Sequence, residues 1–319
     1  LEQGEVAPEE RKRLAAKAFN HTAYYDSLIA QYLGQPQFPE RMTVALVKKA
    51  DLRYGENPHQ KAAYYQLMPQ AAVSIAAAEQ LHGKALSYNN IYDAQAAWQL
   101  VSEFSEPCTV AVKHNNPCGL AVGADLYQAY LRTYEADPVS IFGGIVACNW
   151  TVDAKTAAEM SKIFLEGIIA PDFTAEALEI LQKKANLRLL KLAPAQDSGL
   201  DWKKVAGGFL VQEGDTVDLE QGKRKVVTKR EPTEAEWDDL FFGWKVVKYV
   251  KSNAIVFCKD RQLIGVGAGQ MNRVQSVRLA AEQAGAKAKG AVFVCDAFVP
   301  FADNNEEAPA SAITAIIQP

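Results

Sequence analysis

Two kinds of apolar pattern alternate along the chain. One recurs every three to four residues, the spacing of an amphipathic helix; the other packs four to six apolar residues in a row, as in a strand buried on both faces. The helical pattern comes first. In PEERKRLAAKAFNHTAYYDSLIAQYLG, Leu14, Ala18, Thr22, Tyr25 and Ile29 fall on one stripe, and Gly34 stops it. It recurs in NNIYDAQAAWQLVSEF, ADLYQAYLRTYEA, DAKTAAEMSKIF and TAEALEILQKK. Continuous apolar runs lie around and between them: MTVALV, CTVAVKH, GIVACN, GIIAPDF and LRLLKL. Strands alternating with helices of about 10–15 residues predict an α/β sheet covered by helices on both faces.

From Pro194 to Lys229 the pattern fades into polar sequence, including GDTVDLEQGKRK, which reads as hairpin or linker. The second half opens with a capping box, Thr233 to Glu236 (TEAE), and a helix carrying Trp237, Leu240, Phe241, Trp244, Val247 and Val250. AIVFC, the turn KDRQ, LIGVGAG and RVQSVRLAAEQAG then give strand, turn, strand and helix. GAVFVCDAFVPFADNNEE is a strand running into a polar loop. The expected organisation is a linker helix in 1–40, a first half over 41–193, a connecting stretch over 194–232 and a second half over 233–319. Helical sequence begins almost at Leu1 and AITAIIQP ends on a bare strand, so the chain reads as a fragment.

Length and charge narrow the picture. The 319 residues match about two domains or halves at roughly 150 residues each. The net charge is −4, from 34 Lys+Arg against 38 Asp+Glu, which argues against a chain built to coat nucleic acid. An anionic ligand must be held by a few placed cations. No stretch has the roughly 20 mostly apolar residues of a membrane span. The opening LEQGEVAPEERKR lacks the apolar region of a signal peptide. Five cysteines without a CxxC pair disfavour a disulfide framework or structural zinc and point to a reducing cytoplasm.

Candidate chemistry concentrates at loop sequences. In AVKHNNPCGLAVG a strand ends on Lys113 and His114, where α/β folds place ligands. A histidine there can move a proton near neutral pH and a neighbouring lysine can stabilise a negative oxygen; a surface lysine beside a satisfied histidine in a capped loop is the other reading. Zinc deaminases need H-x-E followed by P-C-x-x-C. Here His114 is followed by Asn115 and Asn116, and Pro117-Cys118 lacks the second cysteine, so metal-activated water is disfavoured. In DLRYGENPHQ, Arg53 suits bidentate phosphate contact, against an ordinary charged hairpin. IGVGAGQMNR offers backbone amides to an anion, but Gln270 stands where a dinucleotide fingerprint needs glycine. In DAFVPFAD, Phe298 and Phe301 could stack a flat heterocycle with Asp303 bonding its edge, or they could simply be core aromatics beside a loop acid.

Taken in order, LRYGENPHQ, LSYNNIYDAQAAW, VKHNNPCG, DPVSIFGG, GIIAP, VKSNAIVFCKD, GVGAGQMNRV and CDAFVPFAD resemble the transformylase domain of the bifunctional purine-biosynthesis enzymes. These couple aminoimidazole carboxamide ribonucleotide (AICAR) formyltransferase with IMP cyclohydrolase. The resemblance runs from about residue 11 to 319. It implies formyl transfer from 10-formyltetrahydrofolate to the 5-amino group of AICAR, with His114 taking the amine proton and Lys113 stabilising the oxygen. Arg53 and Tyr54 match nucleotide-contacting positions. Asn90 and Asn253 match positions around the carboxamide and ring, and Phe142 and Gly143 line the site. Lys184 (or Lys183) meets the phosphate. Phe298, Pro300 and Asp303 match folate positions. The implied fold is a pair of cytidine-deaminase-like α/β/α units, three-layered with mixed sheets and no zinc site. A cytoplasmic homodimer with sites between subunits is implied, with room for a monovalent cation such as potassium.

Two departures qualify the match. Ala302 stands where the family usually has Arg. The cyclohydrolase domain that normally precedes, and a basic tail that normally follows, are expected to be missing. A deaminase-like zinc hydrolase and a nucleotide-binding module that has lost catalysis are the alternatives.

Overall fold

The computed structural model describes residues 6–34, 36–69, 73–195, 199–215, 219, 224–298 and 313–319. The chain packs as two units, Leu1–Ala77 and Ala78–Pro319. In the first, helix α1 (Pro8–Tyr32) starts on a proline whose missing N–H costs nothing at a helix N-terminus. Glu9 and Glu10 complement the positive end of its dipole. The predicted stripe is present, yet no residue of α1 is buried. Strands β1 (Ala45–Leu52) and β2 (Ala62–Met68) form an antiparallel hairpin. β1 extends beyond its apolar string through Lys48 and, past an irregularity at Lys49, Ala50 to Leu52, because ladder pairing with β2 requires no apolar side chain.

The second unit begins with β3 (Glu79–His82), α2 (Tyr88–Val101), β4 (Cys108–Lys113), β5 (Asn116–Val122) and α3 (Leu126–Ala136). It continues with β6 (Ile145–Cys148), α4 (Ala154–Met160), β7 (Gly167–Ala170), α5 (Ala175–Leu181) and β8 (Arg188–Lys191). The weakly patterned stretch holds a separate hairpin, β9 (Leu200–Val205) and β10 (Gly208–Glu213). Then follow α6 (Glu234–Val247), β11 (Ile255–Lys259), β12 (Gln262–Gly267), α7 (Arg273–Ala284), β13 (Val292–Cys295) and β14 (Ala315–Ile317). One ten-stranded sheet runs β14-β13-β11-β12-β5-β4-β6-β7-β8-β3. It is mixed: β6, β7 and β8 are parallel, as are β13 and β14, while β4, β5, β11 and β12 pair antiparallel.

Alternation along the strands assigns the layers. Ala111, Val146, Cys148, Ile168 and Leu189 pack on one face with Leu126 and Tyr130 of α3. Ile255, Phe257 and Phe293 pack on α7 through Val277, Ala280 and Ala284. The opposite face is covered by α2 and by α6, whose Gly243 approaches Val294 and Cys258. Phe104, after α2, meets Phe242 of α6 with ring centroids 5.4 Å apart. The result is the three-layer α/β/α arrangement with a mixed sheet.

The two halves of this unit repeat one another. Ser87 and Thr233 cap α2 and α6 with full capping boxes. Each helix leads into a hairpin with a two-residue turn, His114–Asn115 in β4–β5 and Asp260–Arg261 in β11–β12. All four turn residues have positive φ, from 51° to 60°, as a type I′ turn requires. The turns follow their caps by equal sequence separations. A helix capped by Asp125 or Asn272 comes next, and then a strand ending in Cys148 or Cys295. Gly119 and Gly265 are also equivalent. A Cβ there would sit 2.4 Å from the Thr133 carbonyl oxygen and 2.2 Å from that of Ala280, so glycine lets each following helix lie against its hairpin. The halves meet through antiparallel β5 and β12.

Candidate functional site

The β4–β5 turn and its surroundings bring the largest share of the predicted residues to one end of the sheet. Lys113 is the last residue of β4, and its Nζ donates to the Phe142 carbonyl at 2.9 Å. His114 occupies the first turn position with φ 51° and is exposed. A non-glycine residue in the left-handed region is uncommon and is held there by its surroundings. The Asn115 N–H donates to Asp93 Oδ1 on α2 at 2.7 Å. Burial pushes the Asp93 carboxyl above the usual range, opposed by the Asn115 amide, the nearby His114 charge and the His114 amide.

Because β6 runs antiparallel to β4, the loop before β6 lies at this same end. Gly143, with φ 74°, donates its N–H to the Phe164 carbonyl at 2.8 Å. Phe142 is exposed, its ring centroid 5.5 Å from that of Phe164. Glu166 bonds the Gly144 carbonyl through its N–H at 3.0 Å and ion-pairs through its side chain with Arg188. The Arg188 side chain is 6% exposed and that of Glu166 is 36% exposed, so the guanidinium is buried behind a carboxylate that faces outward. Asn90 Nδ2 reaches Glu166 Oε2 at 3.4 Å, while its Oδ1 closes the α2 capping box on Ser87. Lys184 hydrogen-bonds the Ile163 carbonyl in the same loop region.

The second half contributes from across β12. Asn253, before β11, donates from Nδ2 to the Gln270 carbonyl at 2.8 Å and accepts from Arg273 Nη2 at 2.7 Å. Arg273 also ion-pairs with Asp296, just after β13. Burial tends to raise the Asp296 carboxyl, but hydrogen bonds from Ser252, Arg273 and the Ala254 amide leave it below the usual carboxylate range. Asn116 Oδ1 accepts the Lys251 N–H at 3.2 Å, which ties the β4–β5 turn to the segment before β11.

The structure therefore gathers Lys113, His114, Asn90, Phe142, Gly143, Lys184 and Asn253 on one end of the sheet. Phe298 follows Asp296 and is exposed. Pro300 and Asp303, with Phe301 and Ala302, lie outside the described residues. Arg53 and Tyr54 follow β1 in the first unit, the guanidinium carbon 5.1 Å from the tyrosine ring centroid. The sequence pattern does not single out Asp93, Glu166, Arg188 and Arg273. Asp93, Arg188 and Arg273 are charges inside helical or strand patterns and Glu166 lies just before β7, and only a distant partner makes each conspicuous. Among the described residues, no three His, Cys, Asp or Glu side chains converge as a metal ligand set. Among the described residues, no helix is long and apolar enough to cross a membrane.

The AICARFT/IMPCHase bienzyme family matches residues 1–283 of the chain. A bifunctional purine biosynthesis protein PurH from Thermoanaerobacter sp. (strain X514) is 59% identical over 319 residues, covering 99% of this chain and 63% of that protein. The protein of the same name from Bacillus cereus (strain AH820) is 58% identical over 323 residues, covering 100% of this chain and 63% of its own. The chain thus spans about 63% of the length of these curated relatives.

Proposed function

The chain belongs to the AICARFT/IMPCHase bienzyme family, and on that premise we propose that it performs the formyl-transfer reaction of purine biosynthesis, from 10-formyltetrahydrofolate to the 5-amino group of AICAR. The observation that carries this reading is the Lys113–His114 hairpin end, with the histidine exposed on a held turn and the lysine ammonium fixed on the Phe142 carbonyl beside it. In the reaction a bond forms between the amine nitrogen and the formyl carbon. The bond from that carbon to the folate nitrogen breaks, and one proton passes from the amine to the leaving nitrogen.

In this reading His114 takes the amine proton and passes it to the leaving folate nitrogen, since imidazole exchanges protons near neutral pH. Lys113 carries the positive charge that favours electron density on the formyl oxygen, and its anchor at Phe142 removes reorganisation at the moment of reaction. The polar groups suit a carboxamide-bearing nucleotide. Glu166 presents an outward carboxylate braced by Arg188 and Asn90, fit to accept amino or amide hydrogens, and Asn253 adds an amide. Lys184, Arg53 and Tyr54 are assigned to the phosphate and ribose. Phe298, Pro300 and Asp303 are assigned to the folate, where the carrier supplies the activated formyl group. Dimer formation, a cytoplasmic setting and stimulation by potassium belong to the same reading. The exposed Phe19, Tyr32 and Leu33 on and just after α1 support self-association.

The test is His114→Ala in the full chain, assayed for folate-dependent consumption of AICAR. A loss of roughly 100-fold or more in kcat is expected for a general base. Near-normal turnover with an intact fold refutes the assignment. Sedimentation analysis checks the dimer.

A further inference from the structure

The turn that carries His114 is unusual for its type. Two-residue type I′ turns favour Asn-Gly, Asp-Gly or Gly-Gly, because both central residues need positive φ. Here the pair is His-Asn, at φ 51° and 60°, so the side chains gain no steric relief from glycine. Other groups must hold it: Asn116 beside the turn donates from Nδ2 to the His114 carbonyl at 3.1 Å, and the contact to a turn amide comes from Asp93 of α2, whose Oδ1 receives the Asn115 N–H at 2.7 Å.

The second half contains the same device. Asp239 lies as far beyond the α6 cap as Asp93 lies beyond the α2 cap. Its two oxygens accept the N–H groups of Asp260 at 2.9 Å and Arg261 at 2.6 Å, the central residues of the equivalent turn. Burial pushes both carboxyls upward and the turn amides oppose it in both. What differs is the cargo. The second turn displays Arg261, which ion-pairs with Glu106, and Arg132 binds its Asp260 carbonyl, so that turn is knitted into the opposite end of the sheet. The first turn displays an exposed histidine.

Resting on the formyl-transfer reading, we propose that Asp93 is a positioning residue for that reaction: its carboxylate fixes the left-handed backbone at His114–Asn115 and thereby aims the His114 imidazole. A ring on a two-residue turn has its direction set by the φ and ψ of its own residue. Loosening the turn by tens of degrees moves the ring nitrogens by about an ångström, and displacements of that size cost about 100-fold in rate. The fold needs a carboxylate under either turn, but only under the first does turn geometry decide where a proton acceptor points.

The repeat supplies a matched control. In the full chain, kcat and KM for AICAR are compared for Asp93→Ala, Asp93→Asn, Asp239→Ala and His114→Ala. Hydrogen exchange is followed over residues 113–116 and 259–262. Asp93→Ala is expected to lower kcat by roughly 10- to 100-fold with KM changed by less than about threefold, and to lose protection at the Asn115 amide. Asp93→Asn, which keeps an acceptor oxygen, is expected to restore kcat to within about threefold. Asp239→Ala is expected to lose protection at its own turn while keeping wild-type kcat. Wild-type kcat in Asp93→Ala, despite a freely exchanging Asn115 amide, overturns the proposal. So does an equal fall in kcat in Asp239→Ala. If Asp93→Ala does not fold, Asp93→Glu moves the oxygens by one methylene, and wild-type kcat in that variant overturns it equally. No folate-dependent AICAR turnover in the unmodified full chain overturns the formyl-transfer reading; wild-type turnover in His114→Ala overturns the His114 assignment and this proposal together; and an inactive His114→Ala beside a fully active Asp93→Ala overturns this proposal alone.

Discussion

Gly265→Ala tests the packing that joins the second hairpin to its helix. The added Cβ would lie 2.2 Å from the Ala280 carbonyl oxygen, 3.0 Å from its carbon and 3.2 Å from the Ala284 Cβ. The first two atoms are backbone of α7, so no side-chain rotation relieves the contact. Reaching ordinary van der Waals separation requires α7 to withdraw from β12 by about 1 Å, in an interior packed as densely as an organic crystal. Overpacking of this kind costs about 1–3 kcal/mol. Alanine restricts the unfolded chain more than glycine and returns about 0.4–1 kcal/mol. The oxygen contact is so short that the upper part of the range applies, leaving a net loss of about 2 kcal/mol. For a unit of this size that lowers the melting temperature by roughly 4–8 °C. Urea unfolding followed by tryptophan fluorescence measures it, with Trp98 buried on α2 as a reporter of the same unit. Gly208→Ala is the control, because a Cβ there meets nothing within 4 Å; it is expected within about 0.5 kcal/mol of wild type. Gly119→Ala, whose Cβ falls 2.4 Å from the Thr133 carbonyl oxygen, should behave like Gly265→Ala. If Gly265→Ala matches the control, the close approach of helix and hairpin is wrong, and with it the equivalence of the two glycines.

Three further outcomes are expected. The Arg230 guanidinium, opposed by burial and helped by Thr314 and the Thr233 amide, holds the Glu236 carboxyl down to about 2, from an ordinary 4.5. Its stabilisation is therefore complete above pH 4.5 and lost as pH falls toward 2, so Glu236→Gln should cost about 1 kcal/mol at pH 6 and nothing at pH 2 in denaturant titrations; a pH-independent difference refutes the coupling. Burial raises the thiols of Cys108, Cys148, Cys258 and Cys295, and pushes Cys118 up to about 12. All five cysteines should therefore react with a thiol reagent slowly in the native protein and rapidly in urea, and a fast native phase contradicts this. Glu166→Ala leaves the Arg188 guanidinium buried without its carboxylate. It should cost about 2–3 kcal/mol, at or below the low end for a broken buried pair because Glu166 is 36% exposed, with Arg188→Met added to Glu166→Gln recovering part of it. Calorimetry of the three variants checks the order.

Local sequence determined the elements. Helical and strand periods at α2, α3, α6 and α7 and along β4, β6 and β13 depend on neighbours within a few residues, which a linear chain displays directly. The TEAE cap of α6 formed as a full capping box for the same reason. The position of Lys113–His114 at a strand end was equally legible, since a strand that stops at HNNP must turn there. Stripe burial was not: α1 carries the right spacing and buries nothing, because periodicity specifies a face but not what covers it.

Tertiary structure decided the rest. Only pairing of β5 with β12 makes one sheet of two halves, and that register depends on partners far apart in sequence. The family resemblance implies a pair of units, but the residue pattern alone does not display the repeat, because its equivalent positions share geometry more than residue identity: His114–Asn115 against Asp260–Arg261 have in common only a backbone conformation and a carboxylate beneath it. Asp93 and Arg273 read as ordinary charges on helices, and Glu166 as a loop acid before β7, until folding set them against Asn115, Asn253 and Arg188 respectively. Sequence names the groups capable of chemistry, but which of them are desolvated, paired or aimed is a property of long-range contacts, because electrostatic and hydrogen-bond energies depend on distance in space rather than along the chain.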